Sequence, residues 1–313
     1  MAKRWPIRRR TPPKRSVKPS PSEFFLLDRF SVSDIPKWIE LKDQILKFHW
    51  DYYGNLAYQR SKIADELGKA LLEAAQKSFT FSRWQRVVKY KYALEPLSVQ
   101  GSLVDPGGRF NIGDTNPSQF PSFPALYIAS DKDTALQETL SQKIDPAQEQ
   151  RALDFALANP SSIASVSLSG SLGSVINLGQ PERLQPLIDL IKDFSIPNSL
   201  KEAARRIGLE EPDLVRTLPK LIDILLEPNW RHWPMQFDVP IASQIFGQLV
   251  AKAGIEGILY PSKFTGKDCL VIFPQNFDDV SGSFVQLDDE APAEAKIRRL
   301  DGKVWVELQK TGL

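Results

Sequence analysis

Gly107-Gly108-Arg109-Phe110-Asn111-Ile112-Gly113 sets an arginine directly behind a glycine pair. Two glycines let the backbone pass close to a ligand while Arg109 projects toward it. The planar guanidinium offers a fork of donors that suits phosphate oxygens. Pro124-Ala125-Leu126-Tyr127-Ile128-Ala129 follows, with Tyr127 ending a short strand and presenting a stacking face. Thr134-Ala135-Leu136-Gln137-Glu138 then places a carboxylate on the next helix, where it can stabilise positive charge. Much later comes Glu256-Gly257-Ile258-Leu259-Tyr260-Pro261-Ser262. Singly, these residues read as a turn, a core tyrosine and a solvated helical glutamate. Only their combination points to a site.

Other chemistry is scarce. A Ser-His-Asp triad needs a histidine, and the chain has two, His49 beside Trp50 and His232 within Trp230-Arg231-His232-Trp233. Both contexts read as packed surface or core. The single cysteine, Cys269, lies in an apolar run and reads as a buried, inert thiol. One cysteine allows no intramolecular disulfide and no cysteine-rich zinc site. No HExxH, P-loop or EF-hand spacing is present. Carboxylate, arginine, tyrosine and serine chemistry remains.

The elements that must position these groups change character along the chain. From Ser33 to about Lys77 the pattern is helical, with Ser33 as a cap and Trp38, Ile39, Leu41, Ile45, Leu46 and Phe48 at helical spacing. A second helix is expected over 58–75, with Trp50, Tyr52 and Tyr53 between the two, as a packing or dimerisation element. From Phe79 short apolar runs read as strands: Trp84–Tyr92, Ala125–Ala129, Ile163–Leu168, Ser174–Leu178, Gly257–Tyr260 and Cys269–Phe273. Turn clusters at Asp105–Gly108 and Asn159–Ser162 separate them. Helices are expected near 132–141, 181–194, 200–207, 214–226 and 241–253. Without GxGxxG after a strand or regular strand–helix alternation, the fold class is α+β. After an acidic turn at Asp288-Asp289-Glu290, a terminal hairpin is expected, Ala295–Leu300 with Lys303–Leu308, joined at Asp301-Gly302.

The order GGRFN, PALYIA, TALQE and GILYPS resembles the RES domain, a family named for its arginine, glutamate and serine. The resemblance implies an ADP-ribosyltransferase-like fold: a split β-sheet core with helical insertions and, here, an N-terminal helical extension. It implies degradation of NAD by hydrolysis or phosphorolysis, with NAD a consumed substrate, no cofactor and no metal. Many members are toxins neutralised by a partner antitoxin or immunity protein. Carried over residue by residue, Glu138 becomes the charge-stabilising carboxylate, with Arg109 and Ser262 beside it in the catalytic set. Arg109, Tyr127, Ser262 and Asn111 become substrate-binding. The family's first-strand arginine falls on Arg86, which joins the substrate-binding set, with Arg83 as the alternative and Gln85 where an aromatic residue is usual. ADP-ribosyl transfer to a protein or nucleic acid, and a non-catalytic binding module, stay open as alternatives. The chain divides into a basic tail (1–22), a helical region (23–78), the RES-like domain (79–279) and a C-terminal extension (280–313).

The composition, 42% hydrophobic and 25% charged, is that of a soluble globular protein, and the cysteine usage suits the cytoplasm. No apolar run approaches the length needed to cross a bilayer. Lys3, Arg4, Arg8, Arg9, Arg10, Lys14, Arg15 and Lys18 concentrate positive charge in a proline-broken segment, although the whole chain is only +2. Such a tail reads as disordered and able to touch an acidic partner or nucleic acid weakly. Because every motif lies beyond Phe79, deleting residues 1–20 is expected to leave NAD cleavage intact. It should also abolish any salt-sensitive binding to DNA or RNA. A folded, tail-deleted protein that no longer consumes NAD would contradict this.

Overall fold

The computed structural model describes residues 35–140, 163–209, 212, 214–278, 282–288 and 293–310. The basic tail, the Ser33 cap, the Asn159–Ser162 turn and most of the acidic turn fall outside them. Residues 46–313 form one compact unit, and of the described residues only the start of the first helix belongs to the preceding one, 1–45.

Helix α1 (Ile35–Ser61) runs straight through the aromatic cluster that was expected to separate two helices. Packing explains the difference. Trp50 and Tyr53 close on Phe120 with ring centroids 5.4 and 4.8 Å away, and Phe48 stacks on Tyr52 at 6.2 Å. These contacts need a continuous helix. Helix α2 (Ala64–Ala74) follows, burying Leu67, Ala70, Leu71 and Ala74 on one face.

Strand β1 (Gln76–Lys89) starts earlier than the apolar run suggested and ends in a 3-10 turn at Tyr90–Tyr92. It pairs antiparallel with β5 (Ile163–Asn177) along nearly its whole length, from Gln76↔Val175 to Lys89↔Ile163. Thus β5 is one strand where two were expected. Within it Gly170 serves a close cross-strand approach: a Cβ there would lie 2.5 Å from the Phe284 carbonyl and 2.6 Å from the Phe81 ring. Short α3 (Gln100–Leu103) precedes the two-residue strands β2 (Gly107–Gly108) and β3 (Asn111–Ile112). Strand β4 (Leu126–Ala129) leads into α4 (Lys132–Leu140).

After β5 come α5 (Gln185–Ile191), α6 (Asn198–Arg206), α7 (Leu218–Leu225), α8 (His232–Phe237) and α9 (Ala242–Lys252). Strands β6 (Gly257–Pro261) and β7 (Asp268–Ile272) complete the core. Among the described residues the sheet runs β1-β4-β7-β6-β5-β8-β9, and the additional β1–β5 pairing closes its first five strands into a circuit. Strands β1 and β4 meet at the pair Gln85↔Ala129. Among the described pairings only β5–β6 is parallel. The fold is therefore mixed α+β around a central sheet.

Burial on both faces explains the unbroken apolar run of β7. Cys269 and Val271 join the core shared with α2, α5, α7 and α9, whereas Leu270 and Ile272 join the opposite one with Leu126, Leu168 and Leu300. Each fully buried aliphatic side chain contributes about 1.5–3 kcal/mol by leaving water.

The expected terminal hairpin is wrong in its second half. Strand β9 (Arg299–Asp301) pairs with β8 (Phe284–Leu287), and residues 302–310 form α10 (Gly302–Lys310). Asp301 Oδ1 accepts from the Val304 amide at 3.1 Å, so the residue read as a hairpin turn caps a helix. Trp305 is buried against the second core.

Candidate active site

A cavity of about 280 Å³ opens where β1, β4, α4 and the segment after α7 converge. Arg86, Arg109, Tyr127 and Glu138 all line it. Its wall also includes Trp230, Arg231, Tyr260, Phe264 and Cys269.

Glu138 stands on α4, whose N-terminus is fixed by Asp131. The Asp131 carboxylate accepts from the Thr134 amide (3.1 Å) and from the Thr134 hydroxyl (2.8 Å), and Lys267 Nζ lies 3.4 Å away. Burial would raise this carboxyl, but the Thr134 hydrogen bonds and Lys267 outweigh it and hold the group below the usual aspartate range. The stabilisation is therefore present above the ordinary aspartate value of about 3.9 and lost as pH falls through the lower folded value. Asp131→Ala is expected to lower stability by about 1 kcal/mol near neutrality. Urea unfolding at a series of pH values should show the gap to the parent closing as the solution is acidified. A gap independent of pH would remove Asp131 from this role.

Ser262 lies behind the glutamate and outside the cavity lining. Its Oγ donates to Glu138 Oε1 at 2.7 Å and accepts from the Phe264 and Thr265 amides at 3.1 and 3.4 Å. The Thr265 hydroxyl meets that of Thr134 at 2.9 Å. The loop after β6 is thus bound to α4 at both ends of the helix face that carries Glu138. Ser262 orients the carboxylate.

The GGRFN segment folds into the β2–β3 hairpin. Gly107 has φ +90°, and a Cβ on Gly108 would sit 2.3 Å from the Tyr127 hydroxyl. The close approach that this glycine permits is to Tyr127. The Tyr127 hydroxyl donates to Asn111 Oδ1 (2.9 Å) and accepts from the Phe110 amide (3.0 Å), and burial pushes its pKa well up, so the phenol stays neutral. Asn111 is fully buried. Its Nδ2 donates to the Ser102 and Phe123 carbonyls at 2.7 and 3.0 Å, and its Oδ1 also accepts from the Gly108 amide at 2.9 Å. It braces Tyr127 and the hairpin, and it does not line the cavity.

The two candidates for the first-strand arginine separate clearly. Arg83 is exposed, with φ +58° at the β1 bulge. Arg86 lines the cavity, and burial pushes its pKa down to about 10. His49 is buried between Phe48 and Phe237, and burial takes its pKa down to about 4, in keeping with a packed histidine. The Cys269 thiol is likewise pushed up by burial.

The family of proteins sharing the RES domain matches residues 83–294, two thirds of the sequence. The chain belongs to the RES domain family. No curated protein matches it. A chain in the crystal structure of the M. tuberculosis MbcT-MbcA toxin-antitoxin complex is similar at 15% identity with a TM-score of 0.39, covering 78% of this chain and 97% of that one.

Three positions of this RES domain escaped the motif reading. Trp230 and Arg231 line the cavity from the connection between α7 and α8, with the Arg231 guanidinium 4.5 Å from the Trp230 ring centre. Their only sequence signal is aromatic–cationic adjacency. Gln244, buried on α9, donates to the Pro106, Asn111 and Gly108 carbonyls at 2.7, 3.1 and 3.2 Å and so holds the hairpin. Nothing local marks it. Among the described residues no helix is long and apolar enough to cross a membrane.

Proposed function

We propose that this RES domain cleaves the nicotinamide–ribose bond of NAD as a toxin restrained by a partner antitoxin. The observation that carries the reading is one carboxylate, Glu138, held in a cavity whose other charged lining residues are arginines. Such a site suits an anionic substrate whose reaction centre becomes cationic. As the C–N bond breaks, nicotinamide departs with the bonding pair and the ribose carbon gains oxocarbenium character. Glu138, fixed by Ser262, stabilises that charge and orients the attacking water. Water adds to the carbon and releases a proton, giving ADP-ribose and nicotinamide. With phosphate as the acceptor, the same step gives a phosphorylated ADP-ribose. Partly buried Tyr127 and buried Tyr260 supply neutral aromatic walls for the nicotinamide end.

A cavity of this size, near the lower end of the roughly 300–1,000 Å³ usual for ligand pockets, accommodates the nicotinamide riboside half and leaves the diphosphate toward the mouth. The test is to incubate the full chain with NAD, with and without phosphate, and to identify the products by mass spectrometry. Free ADP-ribose or its phosphate supports the reading. ADP-ribose found attached to protein or nucleic acid would make the enzyme a transferase, and unconsumed NAD would end the proposal.

A further inference from the structure

Three arginines line the cavity, and their hydrogen bonds set them apart. Arg86 donates from Nη2 to the Ser98 carbonyl at 2.8 Å and from Nη1 to the Tyr127 carbonyl at 3.4 Å. Both of its terminal nitrogens thus tie β1 to its neighbours, and its buried Nε, the one donor nitrogen left without a partner, offers no fork by itself. Arg109 is buried, and its Nη1 donates to the Glu227 carbonyl at 2.7 Å and lies 3.5 Å from the Leu225 carbonyl. It holds the chain just ahead of Pro228-Asn229-Trp230-Arg231. Arg231 differs from both. It is half-buried, it hydrogen-bonds to no described residue, and its guanidinium lies 4.5 Å from the ring centre of buried Trp230, closer than the 6.0 Å of Arg109. A guanidinium held over an aromatic face keeps its five N–H donors in its own plane, where they remain available to a ligand. Burial and nearby Arg109 lower its pKa while Glu138 raises it, which places all three charges in one electrostatic neighbourhood.

We propose that Arg231, pre-oriented on Trp230, is the residue that grips the diphosphate of NAD, and that Arg109 is a positioning residue for the segment carrying it. This rests on the NAD reading above. It also reassigns the phosphate-binding role from the motif arginine to one outside the motifs. The diphosphate brings two negative charges and several acceptor oxygens, and an unpaired planar fork at the cavity wall matches them bidentately. The nicotinamide riboside end would then lie inward, toward Glu138.

The test compares Arg231→Ala and Arg231→Lys with the parent in two assays. Calorimetric titration with ADP-ribose reads diphosphate binding without chemistry. Steady-state kinetics compares NAD with nicotinamide riboside, which lacks the diphosphate. Arg231→Ala is expected to weaken ADP-ribose about ten- to a hundredfold, the worth of a charge-assisted hydrogen-bond pair. The lysine variant should recover only part of this, because an ammonium has neither the fork nor the flat stacking face. In kinetics the loss should appear mainly in KM for NAD and exceed the loss on nicotinamide riboside by at least tenfold. Equal losses on both substrates would place Arg231 at the reacting end and overturn the proposal, as would unchanged ADP-ribose affinity. Unaltered melting temperatures establish that the variants are folded. If the parent cleaves neither substrate, the catalytic reading falls, and the ADP-ribose titration still judges Arg231 by itself.

Discussion

Glu138→Gln is expected to reduce NAD cleavage by at least about a hundredfold, the scale of losing one electrostatic stabiliser in a preorganised site. The amide keeps the side chain's size and an oxygen that can still accept from Ser262, which now lies 2.7 Å from the carboxylate. What disappears is the negative charge that faces the developing cation. The loss should therefore fall on kcat with little change in ADP-ribose affinity or in melting temperature. Product formation followed by mass spectrometry gives the rate, and turnover at the parental rate would show that Glu138 is not the stabilising group.

Gly247→Ala should have the largest effect on the fold. Gly247 lies on α9 against the backbone of the GGRFN segment, and a Cβ there would fall 1.9 Å from the Phe110 carbonyl oxygen. No rotamer relieves a clash with main chain, so either α9 or the β2–β3 hairpin must move. Overpacking of this kind costs roughly 3 kcal/mol or more, which for a domain of this size lowers the melting temperature by about 10 °C. Catalysis should suffer too, because Phe110 adjoins Arg109. Gly54→Ala on α1 supplies the contrast. Nothing lies within 4 Å of its Cβ position, and replacing a mid-helix glycine there should stabilise by up to about 1 kcal/mol. Calorimetric melting of both variants decides the matter, and a Gly247→Ala protein as stable as the parent would mean that the two segments are not in tight contact.

The parts of the site legible in the sequence are those carried by short segments. Arg109, Tyr127 and Glu138 sit on a hairpin, a strand and the next helix, so their order alone brings them together. Ser262 was legible as a motif residue, but its place behind Glu138 depends on a loop whose hydrogen bonds leave no local trace. The motif order favoured Arg86 over Arg83, and Arg86 is the one that lines the cavity, but the bulge between Phe81 and Trp84 that resets the alternation of β1 left no local trace. Arg231 was missed for a related reason: its approach depends on a hydrogen bond from Arg109 to a carbonyl 118 residues away.

In the fold, the α+β class and most strands followed from apolar runs and turns. The errors came from ambiguous local signals. Asp301-Gly302 satisfies a hairpin turn and a helix cap equally, and burial of Trp305 decides for the helix.

The circuit β1-β4-β7-β6-β5 bears on how the protein is made. Its first strand begins at residue 76 and its last member ends at residue 272, so closure waits for nearly the whole chain. Pairings this distant in sequence form slowly, and a ribosome adds only about 5–20 residues per second. Glu138 therefore emerges long before the serine that orients it and before the strand that completes its cavity. An enzyme proposed to consume its host's own NAD is in this way harmless throughout translation, and any fragment truncated before residue 272 should be inert.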